Sequence, residues 1–207
     1  MVLPVAGETG WADKLNNHIN ALSPAYGTGT GTNGLPGRKS TGRTDIAHVS
    51  NQLRFTYFEV IKPVTIVRVS ADFFNIVGTG GLLRSAIYNA LSPFDCNTLV
   101  GSFPDIAVAN TGITSVSPSL ALPVGMYFLV THSDFQGTLT GVSTRARTYE
   151  NIVLGSSTSF QNSTVVSTGT LASGAAWPAS ILLSLTTANY PTNVDHSSLV
   201  ALSWNLT

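Results

Sequence analysis

The stretch from Ser198 to Leu206 reads SLVALSWNL, and from Val200 on its large apolar residues fall on every second position. Successive side chains of a β-strand point to opposite faces, so this spacing puts four of them on one face: Val200, Leu202, Trp204 and Leu206. Such a face needs an apolar layer to cover it. A strand this hydrophobic is expected in the interior of a sheet, because an exposed edge of this kind invites aggregation.

The rest of residues 51–207 contains short strand candidates separated by turns. Lys62-Pro63 and Pro123-Val124-Gly125 are turn signals. No helical periodicity lasts for three turns in this region. Strands about a dozen residues apart, with no helix between them, predict an all-β domain: an antiparallel β-sandwich, jelly-roll-like. The other candidates are residues 55–60, 64–71, 82–88, 120–122, 126–130, 152–154 and 181–185.

Residues 1–22 have the pattern of a short amphipathic helix. Its apolar positions recur at spacings of four, four and three: Trp11, Leu15, Ile19 and Leu22. A helix of about twelve residues is roughly 18 Å long and only marginally stable alone, so this stripe must be buried against something. We expect it to be buried between chains, as an attachment and oligomerisation helix.

Residues 23–50 predict an extended arm or linker. Glycine and threonine alternate from Gly27 to Thr32, a composition that can neither bury a core nor hold a helix. Twenty-eight residues can span on the order of 90 Å when fully extended. The segment is therefore either a solvated linker between the helix and the β-domain or an arm that lies on a neighbouring subunit.

The composition excludes some partners. Ten basic residues balance ten acidic ones, so no net field would draw the chain to nucleic acid or to an anionic membrane. Charged residues make up 10% of the chain, against about 25% in typical proteins. A surface this poor in charge favours an oligomer or a large particle, where neighbours cover it. The single cysteine, Cys96, excludes an internal disulfide and a cysteine-based zinc site.

The chain has no recognisable export or membrane signal. Residues 1–8 have no basic start and no continuous apolar run. The longest apolar stretch, residues 120–130, is interrupted by Pro123 and Gly125 and is too short to cross a bilayer. These features predict synthesis in a cytoplasm, no export by the general route and no membrane insertion.

Two segments contain the residue types of a nucleophilic triad, His132-Ser133-Asp134 and residues 195–198. Neighbours on a strand point to opposite faces, so neither segment can form a triad alone, whereas a triad combining both stays open. No Gly-x-Ser-x-Gly elbow is present. The acidic residues are isolated in sequence, which neither indicates nor excludes a carboxylate pair. We predict a protein that is not an enzyme and has no catalytic residues.

Metal and cofactor motifs are also missing from the sequence. The glycine-rich residues 27–34 lack the Gly-Lys-Ser ending of a phosphate-binding loop. The histidines have no metal-ligand spacing, so we predict no metal site and no cofactor. We expect them to be hydrogen-bonded surface residues: His18, His48, His132 and His196.

One cluster is a candidate binding site. Arg145, Arg147 and Tyr149 alternate along the chain and would project from one face of a strand. Such a face could stack on and hydrogen-bond a sugar, or pair with acids on a neighbouring subunit. The alternative is a solvated polar face. Trp177, next to Pro178, is either a loop-tip aromatic for the same ligand or a cap on the sandwich.

Two parts of the sequence resemble bacteriophage tail-fibre and spike proteins. Leu3–Asn16 is similar to the opening of many fibre N-termini, in which proline, glycine and tryptophan precede leucine-asparagine. Lys62–Ile66, Leu83–Asn89 and Leu120–Tyr127, in this order, resemble β-sandwich domains of fibres and receptor-binding proteins.

The resemblance implies a structural protein of the virion, assembled in the cytoplasm of a bacterial host. It implies a homo-oligomer, expected to be a trimer, that attaches through residues 1–22 to other virion proteins of the tail, collar or capsid. The sandwich, residues 51–207, would then contact the host surface, where a glycan is the expected ligand. Two alternatives stay open: a capsid decoration or cement protein, and a cellular carbohydrate-binding or adhesion module.

Overall fold

A computed structural model of the chain describes residues 30–34, 40–92, 95–149, 154–156, 159–161, 164–165, 170–184 and 197–207. Within these ranges every regular element is a β-strand, as predicted, and no helix occurs. The predicted helix, residues 1–22, lies outside the described residues. Its stripe lies there too: Trp11, Leu15, Ile19 and Leu22.

Seventeen strands follow one another along the described chain. In order they are β1 (Thr30–Gly34), β2 (Ser40–Ala47), β3 (Leu53–Val60), β4 (Val64–Val77), β5 (Gly81–Ser92), β6 (Asp95–Ser102), β7 (Ile106–Val108), β8 (Gly112–Val116), β9 (Leu120–Leu122), β10 (Gly125–Asp134), β11 (Gly141–Tyr149), β12 (Leu154–Ser156), β13 (Ser159–Gln161), β14 (Thr164–Val165), β15 (Ser180–Ser184), β16 (Ser197–Ser198) and β17 (Ala201–Leu206).

The first sheet has eight strands in the order β1-β17-β4-β11-β16, with β2 paired to β11 and both β8 and β9 paired to β4. All of these pairs are antiparallel. β17, which contains most of the hydrophobic segment 198–206, pairs with β1 on one side and with β4 on the other. It is therefore an interior strand, which confirms the expectation from its hydrophobicity.

The second sheet has seven strands in the order β14-β3-β10-β5-β6-β15, with β7 paired to β5. Its centre is formed by the antiparallel strands β3, β10 and β5. The short strands β12 and β13 pair only with each other among the described strands.

One hydrophobic core contains residues from both sheets. Leu202 and Trp204 of β17 and Phe73 of β4 enter it from the first sheet, and Phe58 and Leu129 enter it from the second. All five side chains are almost fully buried. Val200 is buried as well, and Leu206 packs against the same core. The face predicted from residues 198–206 is thus confirmed.

The second sheet is also covered on its outer face. Every second residue of its central strands points away from the shared core, and these residues form another buried cluster. Three side chains from residues 171–181 pack against that cluster: Leu171, Trp177 and Ile181. The cluster itself consists of Leu53, Phe55, Tyr57, Ala86, Tyr88, Ala90, Cys96, Phe128 and Val130.

The two ends of the sheets are defined here by the longest strand, β4. We call the end where β4 begins the proximal end: there Leu206 and Leu122 both pair with Val64, and the backbone N–H of Thr207 donates to the carbonyl of Pro63. The other end, where β4 stops at Val77, is the distal end. Because β4 has 14 residues, the two ends are about 45 Å apart along it.

The strands β1 and β2 both fall within residues 23–50, which the sequence predicts to be an arm or linker. β1 pairs with β17, and β2 pairs with β11 along seven register positions. Ile46, at the end of β2, is buried in the shared core. The division of the chain at residues 22 and 50 stays a prediction.

Candidate functional site

The outer face of the second sheet holds a segment that we call the strap, residues 171–179. Three side chains of β5 and β10 form hydrogen bonds with its backbone. Arg84 Nη1 donates to the carbonyl of Ala175 at 2.7 Å, and the hydroxyl of Tyr88 donates to that of Pro178 at 2.8 Å. His132 Nε2 lies 2.9 Å from the carbonyl oxygen of Leu171. The sheet thus contacts the strap through main-chain atoms along its whole length.

Asp134 anchors the distal part of the strap. Its fully buried carboxylate accepts hydrogen bonds from the Ser173 hydroxyl at 2.5 Å and from the backbone N–H of Gly174 at 3.0 Å. Gln136 Nε2 donates to the same carboxylate at 3.0 Å. Burial alone would raise the pKa of Asp134, but these three donors and the neighbouring His132 lower it below its usual value. The group is therefore a structural anion at neutral pH.

Arg84 supplies the positive charge of the site. Its Nη1 lies 3.8 Å from the Asp134 carboxylate, and its Nε lies 3.5 Å from the carboxylate of Asp105. The guanidinium also lies 5.4 Å from the centre of the Trp177 ring, a cation–π distance. Two acids, a strap carbonyl and an aromatic face thus surround a guanidinium that is almost fully buried.

Trp177 packs on the outer face. Its ring makes edge contacts with Tyr88 at 6.4 Å and with His132 at 6.3 Å between centroids. Trp177 Nε1 and His132 Nδ1 are both buried with no hydrogen-bond partner in the described part of the protein. The role of Trp177 as a glycan contact stays a prediction, while its packing accounts for its place in the strap.

A second polar group lies between the two sheets. Ser133 Oγ lies 2.9 Å from His48 Nδ1, and His48 Nε2 lies 3.2 Å from Thr144 Oγ1. Burial, with a smaller effect of Arg54, lowers the pKa of His48 from 6.5 to about 3, so the ring is neutral at physiological pH. The expectation of surface histidines is wrong for His48 and His132, because both are buried.

These groups do not form a triad within the described residues. Ser133 points into the space between the sheets, whereas His132 and Asp134 on the same strand contact the strap on the opposite face. The second ring nitrogen of His48 contacts the hydroxyl of Thr144, where a triad would have a carboxylate. Ser133, His48 and Thr144 are all buried. The arrangement holds β2 and β11 against β10. Residues 195 and 196 lie outside the described residues, so the combined triad is not tested.

The exposed outer face of the first sheet has a cluster that we call the distal patch: Asp45, Asp72, Phe74, Ile113 and Arg145. The side chain of Arg145 is half exposed. Its Nη1 lies 3.7 Å from Oδ1 of Asp72, and its guanidinium carbon lies 5.4 Å from the centre of the Phe74 ring. Asp45 lies opposite Arg145 on β2, and Ile113 lies opposite Asp72 on β8.

The other two members of the predicted cluster, Arg147 and Tyr149, follow on β11. They lie opposite Arg43 and Ser40 of β2 in the register. Their side chains lie outside the described part of the structure, so whether they join the distal patch stays a prediction. The sequence did not indicate Phe74 or Asp72, because each comes from a strand 70 or more residues away from Arg145.

No cation site is evident in the described part of the chain, where no three His, Cys, Asp or Glu side chains come together as metal ligands would. None of the described residues forms a helix that could span a membrane.

Comparisons with known proteins do not assign this chain to a family. No protein-family model matches it, and the searches of curated proteins and of solved structures found no match. The fold and the site together define an all-β protein with two antiparallel sheets, in which the buried polar side chains hold chain segments in place.

Proposed function

We propose that the protein is a structural component of a virus particle, of the bacteriophage fibre or spike type. In this proposal the two sheets form a jelly-roll-like β-sandwich, preceded by an N-terminal helix and a glycine-threonine arm. Residues 1–22 attach the protein to other virion proteins of the tail, collar or capsid, and the sandwich projects from the particle towards the host surface. The resemblance of Leu3–Asn16 and Leu83–Asn89 to fibre proteins supports this class.

The observation that carries the proposal is where the chain enters the sheets. Thr30, the first residue of β1, lies opposite Asn205, next to the proximal end. The first described strand therefore begins at that end. Phe74 of the distal patch lies ten residues beyond Val64 on β4, about 33 Å away. An attachment segment at one end and an exposed contact surface towards the other is the arrangement that a projecting spike needs.

The use of the polar groups supports a structural role. Asp134, Arg84 and His132 are engaged with the strap, and His48 and Ser133 are engaged between the sheets. Each of these side chains is buried. Groups used in this way stabilise one conformation of the chain and are shielded from solvent.

We assign contact with a host glycan to the distal patch. Phe74 offers an apolar ring, while Arg145 and Asp72 offer donors and acceptors for sugar hydroxyls. Arg147 and Tyr149 extend this surface along β11 in the proposal. The assembly is a homo-oligomer, which we propose to be a trimer, because a chain with 10% charged residues suits a particle in which neighbouring subunits cover part of its surface.

The test is removal of residues 1–22, which leaves all described strands in place. We expect the shortened protein to fold, with the β-rich circular dichroism spectrum of the full chain, and to be missing from purified virions. The full-length protein produced in the same cells is the control. Normal incorporation of the shortened protein would contradict the attachment role.

A further inference from the structure

The proximal end carries an exposed apolar surface, which we call the proximal tip. Seven large apolar side chains are exposed in the described part of the chain, and four of them lie here, including Leu91, which follows Asn89 of β5 at the start of β10. Ile61 is 41% exposed, Val124 is 62% exposed and Met126 is 38% exposed. Pro63 and Pro123 are exposed in the same two turns.

These turns lie side by side at one end of the sheets. Ile61 and Pro63 connect β3 to β4, and Val124 connects β9 to β10. Met126 lies opposite Glu59 in the second sheet, and Leu122 lies opposite Val64 in the first. The proximal tip therefore includes both sheets.

The first described strand, β1, begins at the same end. Thr30 lies opposite Asn205, and Asn205 lies opposite Thr65, one residue from the start of β4. Leu22, the last apolar residue of the predicted stripe, precedes Thr30 by eight residues. Eight residues span at most about 28 Å, and packed sheets are about 10 Å apart, so residues 11–22 can reach the proximal tip of their own chain.

We propose that the proximal tip is the docking surface for residues 11–22 of the same chain. The predicted helix carries an apolar stripe that needs a partner: Trp11, Leu15, Ile19 and Leu22. The proximal tip supplies an apolar surface at the point where that segment joins the sheets. The expectation that the stripe is buried between chains depended on a separation of 28 residues, and β1 reduces this separation to the seven residues between Leu22 and Thr30.

The short connection favours the chain's own segment over that of another copy. A segment joined by a short linker has an effective concentration on the order of millimolar at its own docking surface. A free second copy at micromolar concentration, outside the same oligomer, is outcompeted about a thousandfold. Docking would orient the N-terminal segment relative to the sheets. This inference goes beyond the proposed function and does not depend on it: with the stripe covered by its own chain, attachment falls to the rest of residues 1–22.

The test is a disulfide between the stripe and the tip in the full-length protein. Leu15→Cys is combined with Val124→Cys, and the protein is oxidised under mild conditions. Burial raises the pKa of Cys96 to about 12, which keeps that thiol out of the exchange. The matched control combines Leu15→Cys with Val77→Cys, since Val77 is also an exposed valine, 52% accessible, at the distal end.

Thr30 follows Leu15 by fifteen positions, a span of about 50 Å, so an extended chain could reach either valine. We expect an intrachain disulfide with Val124→Cys, seen as a faster monomer band without reductant, at least tenfold more complete than with Val77→Cys. Equal yields at both positions, or no disulfide at position 124, would overturn the proposal. A disulfide-linked dimer would also overturn it, because the occupant would then be another copy.

Discussion

His132 and Arg84 lie directly opposite each other on β10 and β5, and their side chains hold the same strap at two carbonyl groups four residues apart. His132 contacts the carbonyl of Leu171 and Arg84 that of Ala175. Asp134, two residues after His132 on β10, accepts hydrogen bonds from Ser173 and Gly174, which lie between these two strap positions. Several buried side chains of this sheet therefore bond to the strap, and the free energy that these contacts contribute can be measured.

Removing the charge of Asp134 should destabilise the protein. In Asp134→Asn the carboxylate that accepts from Ser173, Gly174 and Gln136 is replaced by an amide, and Arg84 loses its buried counterion. We expect a loss of about 2 to 3 kcal/mol in the free energy of unfolding, measured by urea denaturation. Asp105→Asn is the matched control, because Asp105 also pairs with Arg84 but its side chain is 38% exposed, and it should cost less than about 1 kcal/mol. Equal losses for the two variants would contradict the anchoring role of Asp134.

The strap should also loosen when its aromatic side chain is removed. Trp177→Ala takes away the contacts with Tyr88, His132 and Arg84. We expect a loss of about 2 kcal/mol, since the ring is only partly exposed. The amide of Leu99 reports on the strap directly, because it donates to the carbonyl of Ala179 at 2.9 Å. Its hydrogen exchange should accelerate at least tenfold, while Leu91→Ala, at an exposed position, should leave it unchanged.

Stability should fall as the pH decreases, because a buried histidine cannot take up a proton. The pKa of His48 is about 3 in the native state, against 6.5 for an unperturbed histidine side chain. Between these values the unfolded chain binds a proton that the native chain does not bind. Stability is therefore complete above about pH 6.5 and decreases by about 1.4 kcal/mol for each pH unit below it.

Urea denaturation at pH 6.0, 5.5 and 5.0 measures this slope above the range in which Asp134 titrates. His132, whose pKa is also lowered, contributes in the same direction. His48→Gln keeps groups that can bond to Ser133 and Thr144 but does not titrate, so its slope should be smaller by about 1.4 kcal/mol per pH unit. Parallel slopes for the two proteins would show that His48 is not responsible.

Binding to the host surface should depend on the distal patch. Arg145→Ala removes the group that contacts Asp72 and Phe74, and Phe74→Ala removes the ring. We expect each variant to lose at least tenfold in retention on host-cell polysaccharide, and Arg147→Ala to do the same. Arg68→Ala is the control, because Arg68 is exposed on β4, the same strand as Phe74. Retention that drops only with Arg68→Ala, or with no variant, would refute this assignment.

The parts of the fold that the sequence predicted are those with a strong apolar pattern. The large apolar residues of 200–206 fall on every second position, residues 126–130 form a continuous apolar run, and both segments lie in interior strands of their sheets. The strand β2 has no such signal, since STGRTDIA contains one large apolar residue. Its place in the sheet comes from pairing with β11, which is about 100 residues away and leaves no local pattern.

The strap site could not be predicted for a related reason. Asp134 and Ser173 are 39 residues apart, and Arg84 and Ala175 are 91 residues apart. The strap takes part mainly through backbone groups, which every residue has, so its sequence does not show that side chains will bind it. His132 and Asp134 have the residue types of a triad, but their actual partners lie on the strap.

The native mass of the full-length protein tests the account most directly. Light scattering coupled to size exclusion should give about 65 kDa, three times the chain mass of 21.7 kDa, as a trimeric fibre or spike requires. A single species of 21.7 kDa at micromolar concentration would contradict the account, because a fibre or spike of this kind cannot be built from a lone chain.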